Sequence, residues 1–195
     1  MIEVGTDYEG HSLRLLVWQA SKQYRTAALW QFLYDRDVIV RSATARELQI
    51  RGGKLVYEQT KKLLKDDSKT IRELAAFILG QLGTPKRPFK TASTRDLLRL
   101  IKFEKNATVR ATSICSLGQL KATKALATII SFSHDPSPAV RGSVAFAIGM
   151  IYCEKLATIP IRTKRLLNKL CSDKPREVRG MAKLGIGLVK GQPND

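Results

Sequence analysis

A Val-Arg or Ile-Arg pair with an acid six residues before its arginine recurs five times along this chain of 195 residues. The five arginines are separated by 31, 38, 31 and 38 residues, and an acid stands six residues before each of them. The acid and arginine pairs are Asp35 and Arg41, Asp66 and Arg72, Glu104 and Arg110, Asp135 and Arg141, and Asp173 and Arg179. Such regular spacing indicates similar units that stack on one another.

Each unit contains two helical patterns separated by a short turn that carries the acid. Apolar residues at positions −1, +3 and +7 from the arginine fall on one helical face, as Ile71, Ala75 and Leu79 do. Asp66 and Asp135 suit the N-terminal caps of second helices. The sequence therefore predicts an all-α domain spanning residues 1–195. Its five helix–turn–helix repeats are expected at about 22–53, 54–83, 93–121, 122–152 and 161–190.

The N-terminal residues 1–21 lack the repeat signature, and we expect them to form a helical cap that shields the first repeat. Four aromatic residues cluster at the junction between this cap and the first repeat: Trp18, Tyr24, Trp30 and Tyr34. We expect them to pack in the core, base stacking being the alternative. Residues 83–92 and 153–160 account for the two longer intervals and are expected to be loops.

The pattern of an acid, Val-Arg, a small residue and Leu-Gly resembles the repeat of the HEAT family over about residues 35–190. Residues 41–53, 75–82 and 157–160 are similar to segments of the short bacterial YibA-type HEAT proteins. The resemblance implies a right-handed α-solenoid that serves as a binding surface and contributes no catalytic motif. It also implies that the five acid and arginine pairs form a structural ladder between stacked repeats rather than a ligand site.

The composition excludes several classes of protein. The chain has a net charge of +17 but also 44% hydrophobic residues. It is not a disordered basic tail, because it contains enough hydrophobic residues to bury a core. The sequence contains no transmembrane segment and no signal peptide, so we expect a cytoplasmic protein. Cys115, Cys153 and Cys171 are too few and too widely spaced for a disulfide framework or a metal site.

The positive charge is concentrated on the first helices of the repeats and in one loop. The candidate basic patch consists of Lys61, Lys65, Lys86, Arg87, Lys90, Arg95, Arg99, Lys102, Arg162, Arg165 and Lys169. Lys86, Arg87 and Lys90 are assigned to the loop, and the first helix of the fourth repeat interrupts the patch because it offers only Lys124. A solvated surface is the simpler interpretation, and an anionic partner is the alternative.

The second helices carry few charges on the side opposite their core face. This side lines the concave surface in the HEAT family, and after the first unit it holds one acid and no base. A groove for a phosphate backbone is therefore not expected there. Phe77, Cys115, Phe146 and Leu184 form a candidate apolar strip on this side. The strip either receives a partner or is buried between neighbouring helices, and we favour burial.

Candidate catalytic groups are scarce. His11 and His134 are the only histidines, and neither has a partner at metal-ligand spacing. The sequence has no P-loop, no G-x-S-x-G and no H-E-x-x-H motif. HEAT-like DNA glycosylases and phycobilin lyases share the expected architecture, but we identify neither type of site. We therefore expect no enzymatic activity, no cofactor and no metal.

The function that fits these observations is a non-catalytic HEAT-repeat binding module, or adaptor, that engages a macromolecular partner. We expect a protein partner, and an acidic one would complement the charge. The alternative is a nucleic-acid-binding protein that uses the lysines and arginines of the first helices and the loop. The sequence identifies no small-molecule substrate and no membrane insertion.

Overall fold

The computed structural model describes the backbone of residues 6–153 and 159–190, and the side chains of residues 12–153 and 159–190. Helices contain most of these residues and none of them lies in a β-strand, so the expected all-α class is confirmed. None of the helices described is long and apolar enough to cross a membrane. The chain forms two compact units, Met1–Pro88 and Phe89–Asp195.

The first unit contains an N-terminal helix and two helix pairs. Its helices are α1 (Thr6–Ser21), α2 (Thr26–Phe32), α3 (Val38–Arg51), α4 (Gly53–Leu63) and α5 (Lys69–Gly80). Helix α1 packs on α3, and Trp18 Nε1 donates a 3.0 Å hydrogen bond to Glu47 Oε2. Lys22 Nζ lies 4.2 Å from the centroid of the Trp18 ring, and Arg46 Cζ lies 4.3 Å from it. These contacts attach α1 to the first repeat.

Three further helix pairs form the second unit. Its helices are α6 (Lys90–Phe103), α7 (Ala107–Gln119), α8 (Leu126–Ser131), α9 (Pro138–Ile151), α10 (Ile161–Leu170) and α11 (Arg176–Lys190). The second helices α7, α9 and α11 pack side by side, with α9 in the middle. Helix α8 is flanked by 3-10 turns at Thr123–Ala125 and Phe132–His134. The five repeats are thus all helical pairs.

The arginine of every repeat closes the turn of its own repeat. In each case Nη1 donates to the main-chain carbonyls of the residues six and five positions earlier. Arg41 contacts Asp35 O at 2.7 Å and Arg36 O at 2.8 Å, and Arg141 contacts Asp135 O at 2.8 Å. Arg72, Arg110 and Arg179 donate to the corresponding carbonyls. These bonds satisfy carbonyls that the turn leaves without a helical partner.

Arg110 and Arg141 each also contact the acid of the next repeat. Arg110 donates from Nε and Nη2 to Asp135, both at 3.1 Å, and Arg141 donates in the same way to Asp173 at 2.8 and 2.9 Å. Asp66 differs from this pattern because its Oδ2 accepts a 2.7 Å hydrogen bond from Tyr34 Oη instead. That bond, with burial and the charge of Asp66, raises the pKa of Tyr34 to about 12.

Three local expectations need correction. Lys90 lies in the first turn of α6 rather than in the loop, because residues 90–92 contain no helix breaker after Pro88. Asp66 and Asp135 accept from the N–H of Ser68 and Ser137, which are the N-cap residues, so the acids form turns before the helices rather than caps. Among the four aromatic residues, Tyr24 and Tyr34 are 47% and 55% exposed and lie outside the core.

Candidate binding groove

A groove of about 800 Å³ runs between α6 and the segment from Lys121 to Phe132. Six basic side chains line it: Lys90, Arg95, Arg99, Lys102, Lys121 and Lys124. All six are exposed, and no acidic residue belongs to the lining. Because like charges concentrated in a concave site reinforce one another, this groove favours anionic groups.

The floor of the groove is apolar. Leu98 and Phe132 are half-buried and Ala122 is buried, and all three contribute to the lining. Hydroxyl groups stand among the cations, contributed by Thr91, Thr94, Thr123, Thr128 and Ser131. The groove therefore combines apolar area with positive charge and hydroxyl donors, which is the composition of a site that orients an amphipathic partner.

The groove wall opposite α6 contains a helical segment of mixed type in the fourth repeat. Helix α8 has six residues, whereas its neighbours α6 and α10 have 14 and 10. Residues Thr123–Ala125 form a 3-10 turn ahead of it, so the chain reaches α8 only at Leu126. Residues Phe132–His134 continue it as a second 3-10 turn, and residues from Lys121 to Phe132 line the groove opposite α6.

Lys121 occupies an unusual backbone position at the end of α7. Its φ of 47° lies in the left-handed region, where glycine is favoured. Lys121 N donates to Gly118 O at 2.7 Å and Ala122 N to Leu117 O at 3.1 Å, the two bonds of a Schellman motif. A side chain here costs about 1–2 kcal/mol relative to glycine. The strained position aims a lysine into the groove lining, which is consistent with a functional role.

The structure separates the predicted basic patch into several places. Lys90, Arg95, Arg99 and Lys102 line the groove. Arg162, Arg165 and Lys169 are exposed on α10, and Lys169 borders a second cavity of about 660 Å³ beside the Arg141–Asp173 pair. Lys61 and Lys65, at and just after the end of α4, are exposed, as is Lys86, whereas Arg87 is half-buried in the loop of the first unit.

Sequence reasoning missed two residues of the groove. Lys124 was expected to mark an interruption of the basic patch, and Lys121 was not considered. Both lie opposite α6 and complete the positive lining. The first helical segment of the fourth repeat indeed offers only Lys124, and together with Lys121 it forms the wall opposite α6. A lysine directly after the Leu-Gly-Gln-Leu end of a second helix was the available signal.

The apolar strip on the second helices is only partly accessible. Cys115, Phe146 and Leu184 are half-buried in the second unit, and Phe77 is half-buried in the first. A Cβ added to Gly118 would lie 2.5 Å from Ala147 Cα, and one added to Gly149 would lie 2.5 Å from Gly185 Cα. This close approach of α7, α9 and α11 narrows the space at the strip and buries the neighbouring glycines.

The titratable groups of the described residues form no group of three that could hold a metal ion. The His134 ring is exposed, and its Nδ1 lies 3.0 Å from Ser133 Oγ. Burial raises the pKa of the Cys115 thiol. Burial also raises the pKa of the Cys171 thiol, and the charge of Lys183 opposes part of that rise. A raised pKa disfavours the reactive thiolate at both positions. The side chain of His11 lies outside the described residues.

Comparison with known proteins supports the repeat architecture. Protein YibA of Escherichia coli K12 is 29% identical over 185 residues, which cover 92% of this chain and 63% of YibA. YibA of Escherichia coli O157:H7 gives the same values. The chain thus spans 63% of the length of these curated relatives. No protein-family model matches it.

Solved structures give the same result for the fold. The X-ray structure of Escherichia coli YibA has a TM-score of 0.75 at 26% identity, covering 100% of this chain and 67% of that one. The complex of CpcE and CpcF of phycocyanin lyase from Nostoc has a TM-score of 0.59 at 18% identity, covering 96% and 73%. The resemblance to YibA-type HEAT proteins and the helical-repeat fold are therefore confirmed.

Proposed function

We propose that this chain is a non-catalytic HEAT-type binding module that engages an acidic protein segment in the groove between α6 and α8. The observation that carries this proposal is the combination of six exposed cations, no lining acid and an apolar floor. An acidic protein segment can match both features at once, because it pairs carboxylates with the cations and places apolar side chains on Leu98 and Phe132. The cytoplasmic location expected from the sequence belongs to the same proposal.

A nucleic acid is the second candidate, and one observation favours it. Phe103 is 75% exposed at the end of α6, and Lys102 Nζ lies 5.4 Å from its ring centroid. An exposed aromatic ring beside cations is typical of sites that bind single-stranded nucleic acids by stacking. Phe103 does not belong to the groove lining, however, and the apolar floor offers nothing to a phosphate backbone. We therefore rank the protein partner first.

The test compares two defined probes by fluorescence anisotropy. One is a labelled acidic peptide that contains glutamates together with leucine or phenylalanine, and the other is a labelled DNA of equal charge, single-stranded in one series and duplex in another. We expect the peptide to bind, and its affinity to fall about tenfold in the double variant Arg95→Ala, Arg99→Ala, about 1.4 kcal/mol of binding free energy. DNA is expected to bind weakly and to lose affinity steeply as salt is added.

A matched control is available in the same unit. Arg162 and Arg165 are exposed on α10 and do not line the groove, so Arg162→Ala, Arg165→Ala removes the same charge elsewhere. We expect this variant to bind the peptide almost as wild type. Equal losses in the two double variants would mean that net charge, rather than the groove, governs binding. Tighter binding of DNA than of the peptide at matched salt would replace the proposal by the second candidate.

A further inference from the structure

We infer that the groove receives a partner's acidic amphipathic α-helix, which lies along α6 between this helix and the segment from Lys121 to Phe132. This inference rests on the proposed function and adds the conformation and pattern of the partner. Its first support is the length of the wall. The twelve steps from Lys90 to Lys102 along α6 extend over about 18 Å, the length of about three helical turns.

The spacing of the cations on α6 matches a helical partner. Arg95, Arg99 and Lys102 stand at positions i, i+4 and i+7, so they form one row along the helix. A partner helix lying along α6 would present carboxylates at the same spacing. Lys121 and Lys124 face this row from the other wall, so acids on both edges of the partner helix would find cations.

The apolar floor completes the match. Of the two larger floor side chains, Leu98 lies within the span of the α6 cations, and Phe132 comes from the residue just after α8. A partner helix with one apolar stripe between two acidic rows would bury that stripe on these two side chains. The pattern is the helix-in-groove mode of recognition, in which apolar anchors at i, i+3 and i+4 or i+7 give most of the affinity.

The backbone chemistry of the walls favours a helix over an extended segment. Helix α6 forms one wall, and the segment from Lys121 through the 3-10 turn Thr123–Ala125 and α8 to Phe132 forms the other. Interior N–H and C=O groups of the helices bond within the helices. Such walls offer no strand edge to which an extended peptide could add main-chain hydrogen bonds. A helix satisfies its own backbone groups and needs only side-chain contacts from the groove.

A second copy of this chain does not fit as the occupant. The chain carries a net charge of +17, and the groove concentrates six cations without a lining acid. Self-association through this surface would bring like charges together, which is unfavourable. The occupant is therefore a different protein whose helix carries excess negative charge.

The test compares two peptides of about 12 residues and identical composition. One carries glutamates at i, i+4 and i+7, flanking leucines and a side-chain staple that holds it helical. The other contains the same residues in an order without helical periodicity and carries no staple. We expect the helical peptide to bind the full chain at least tenfold more tightly, with the difference lost in the Arg95→Ala, Arg99→Ala variant but kept in Arg162→Ala, Arg165→Ala.

A second variant tests the apolar floor. Leu98→Ala shortens a half-buried side chain at the groove, so thermal unfolding is measured alongside to verify folding. We expect it to weaken the helical peptide at least threefold while leaving binding of poly-glutamate unchanged. Equal binding of both peptides that still depends on Arg95 and Arg99 would overturn the helix inference and leave the proposed function standing. Binding of neither peptide would overturn both, and preferential binding of DNA would replace them with a nucleic-acid site.

Discussion

Arg141 and Asp173 are joined by two hydrogen bonds, from Nε to Oδ2 at 2.8 Å and from Nη2 to Oδ1 at 2.9 Å, across the boundary between the fourth and fifth repeats. The same guanidinium donates from Nη1 to Asp135 O and Pro136 O in its own turn. One side chain therefore closes a turn and connects it to the next repeat. The solvent-exposed fractions of the two side chains are 16% and 15%, so water screens the pair only partly.

Removing the carboxylate is expected to destabilise the chain. Asp173→Ala leaves two donors of Arg141 without their acceptor, which we expect to lower the free energy of unfolding by about 1–3 kcal/mol. Urea denaturation followed by circular dichroism measures this change. Asp67→Asn alters an exposed carboxyl and is expected to change stability by less than about 0.5 kcal/mol. An Asp173→Ala variant as stable as Asp67→Asn would show that the pair contributes nothing.

The same pair predicts how stability depends on acid. The hydrogen bond from Arg141 holds the pKa of Asp173 below its usual value of about 3.9. Its contribution is therefore complete above about pH 4–5 and is lost as the pH falls through the lowered folded-state pKa. We expect the free energy of unfolding to decline in acid, and to decline less steeply in Asp173→Asn. Identical slopes in the two proteins, measured by urea denaturation at several pH values, would contradict this assignment.

Alanine substitutions at Gly149 and Gly180 form a matched pair of variants that tests the close packing of the second helices. Gly149→Ala would place a Cβ 2.5 Å from Gly185 Cα, so α9 and α11 would have to separate. We expect a loss of about 1–3 kcal/mol from overpacking. Gly180 has no atom within 4 Å of an added Cβ, so Gly180→Ala should stabilise α11 by up to about 1 kcal/mol. Equal effects in urea denaturation would be inconsistent with close packing at Gly149.

A substitution of Lys121 is expected to change binding affinity without lowering stability. Lys121→Gly relieves a left-handed backbone position, and this gain of about 1–2 kcal/mol is offset by about 0.5–1 kcal/mol for the more flexible glycine. We expect the free energy of unfolding to stay equal or rise by up to about 1.5 kcal/mol, while affinity for the helical acidic peptide falls about threefold. Lys105→Ala, an exposed lysine outside the groove lining, should leave affinity unchanged. Unchanged affinity in Lys121→Gly would remove this lysine from the site.

The sequence predicted the repeat well because its defining contacts are local. Each arginine reaches carbonyls only five and six residues away, so a fixed sequence spacing reports a fixed turn, as between Arg41 and Asp35. The partner of Asp66 was not predictable in this way, because Tyr34 reaches it from another repeat. The repeat pattern could predict the helix pairs, but it could not predict which side chain each carboxylate would bond.

The groove was harder to predict because the wall opposite α6 combines a turn with 3-10 and α-helical residues. The segment from Ala122 to Ser133 has the spacing of a full first helix, yet only Leu126–Ser131 is α-helical. Lys121 and Lys124, which precede the α-helical part, line the groove opposite α6. The row of basic residues on α6 itself could be predicted from the sequence periodicity. Their place in a groove depends on the wall opposite α6, and the sequence periodicity does not predict that wall.

The central claim is that the groove, rather than the apolar strip, is the binding surface. The most direct test is a heteronuclear NMR titration of the full chain with the stapled acidic helix, following assigned signals of Thr94, Leu98, Thr128 and Phe132. We predict that these signals shift together and saturate with one binding curve, while those of Leu167 on α10 stay in place. Shifts centred instead on Cys115, Phe146 and Leu184, with the groove signals unchanged, would contradict the account.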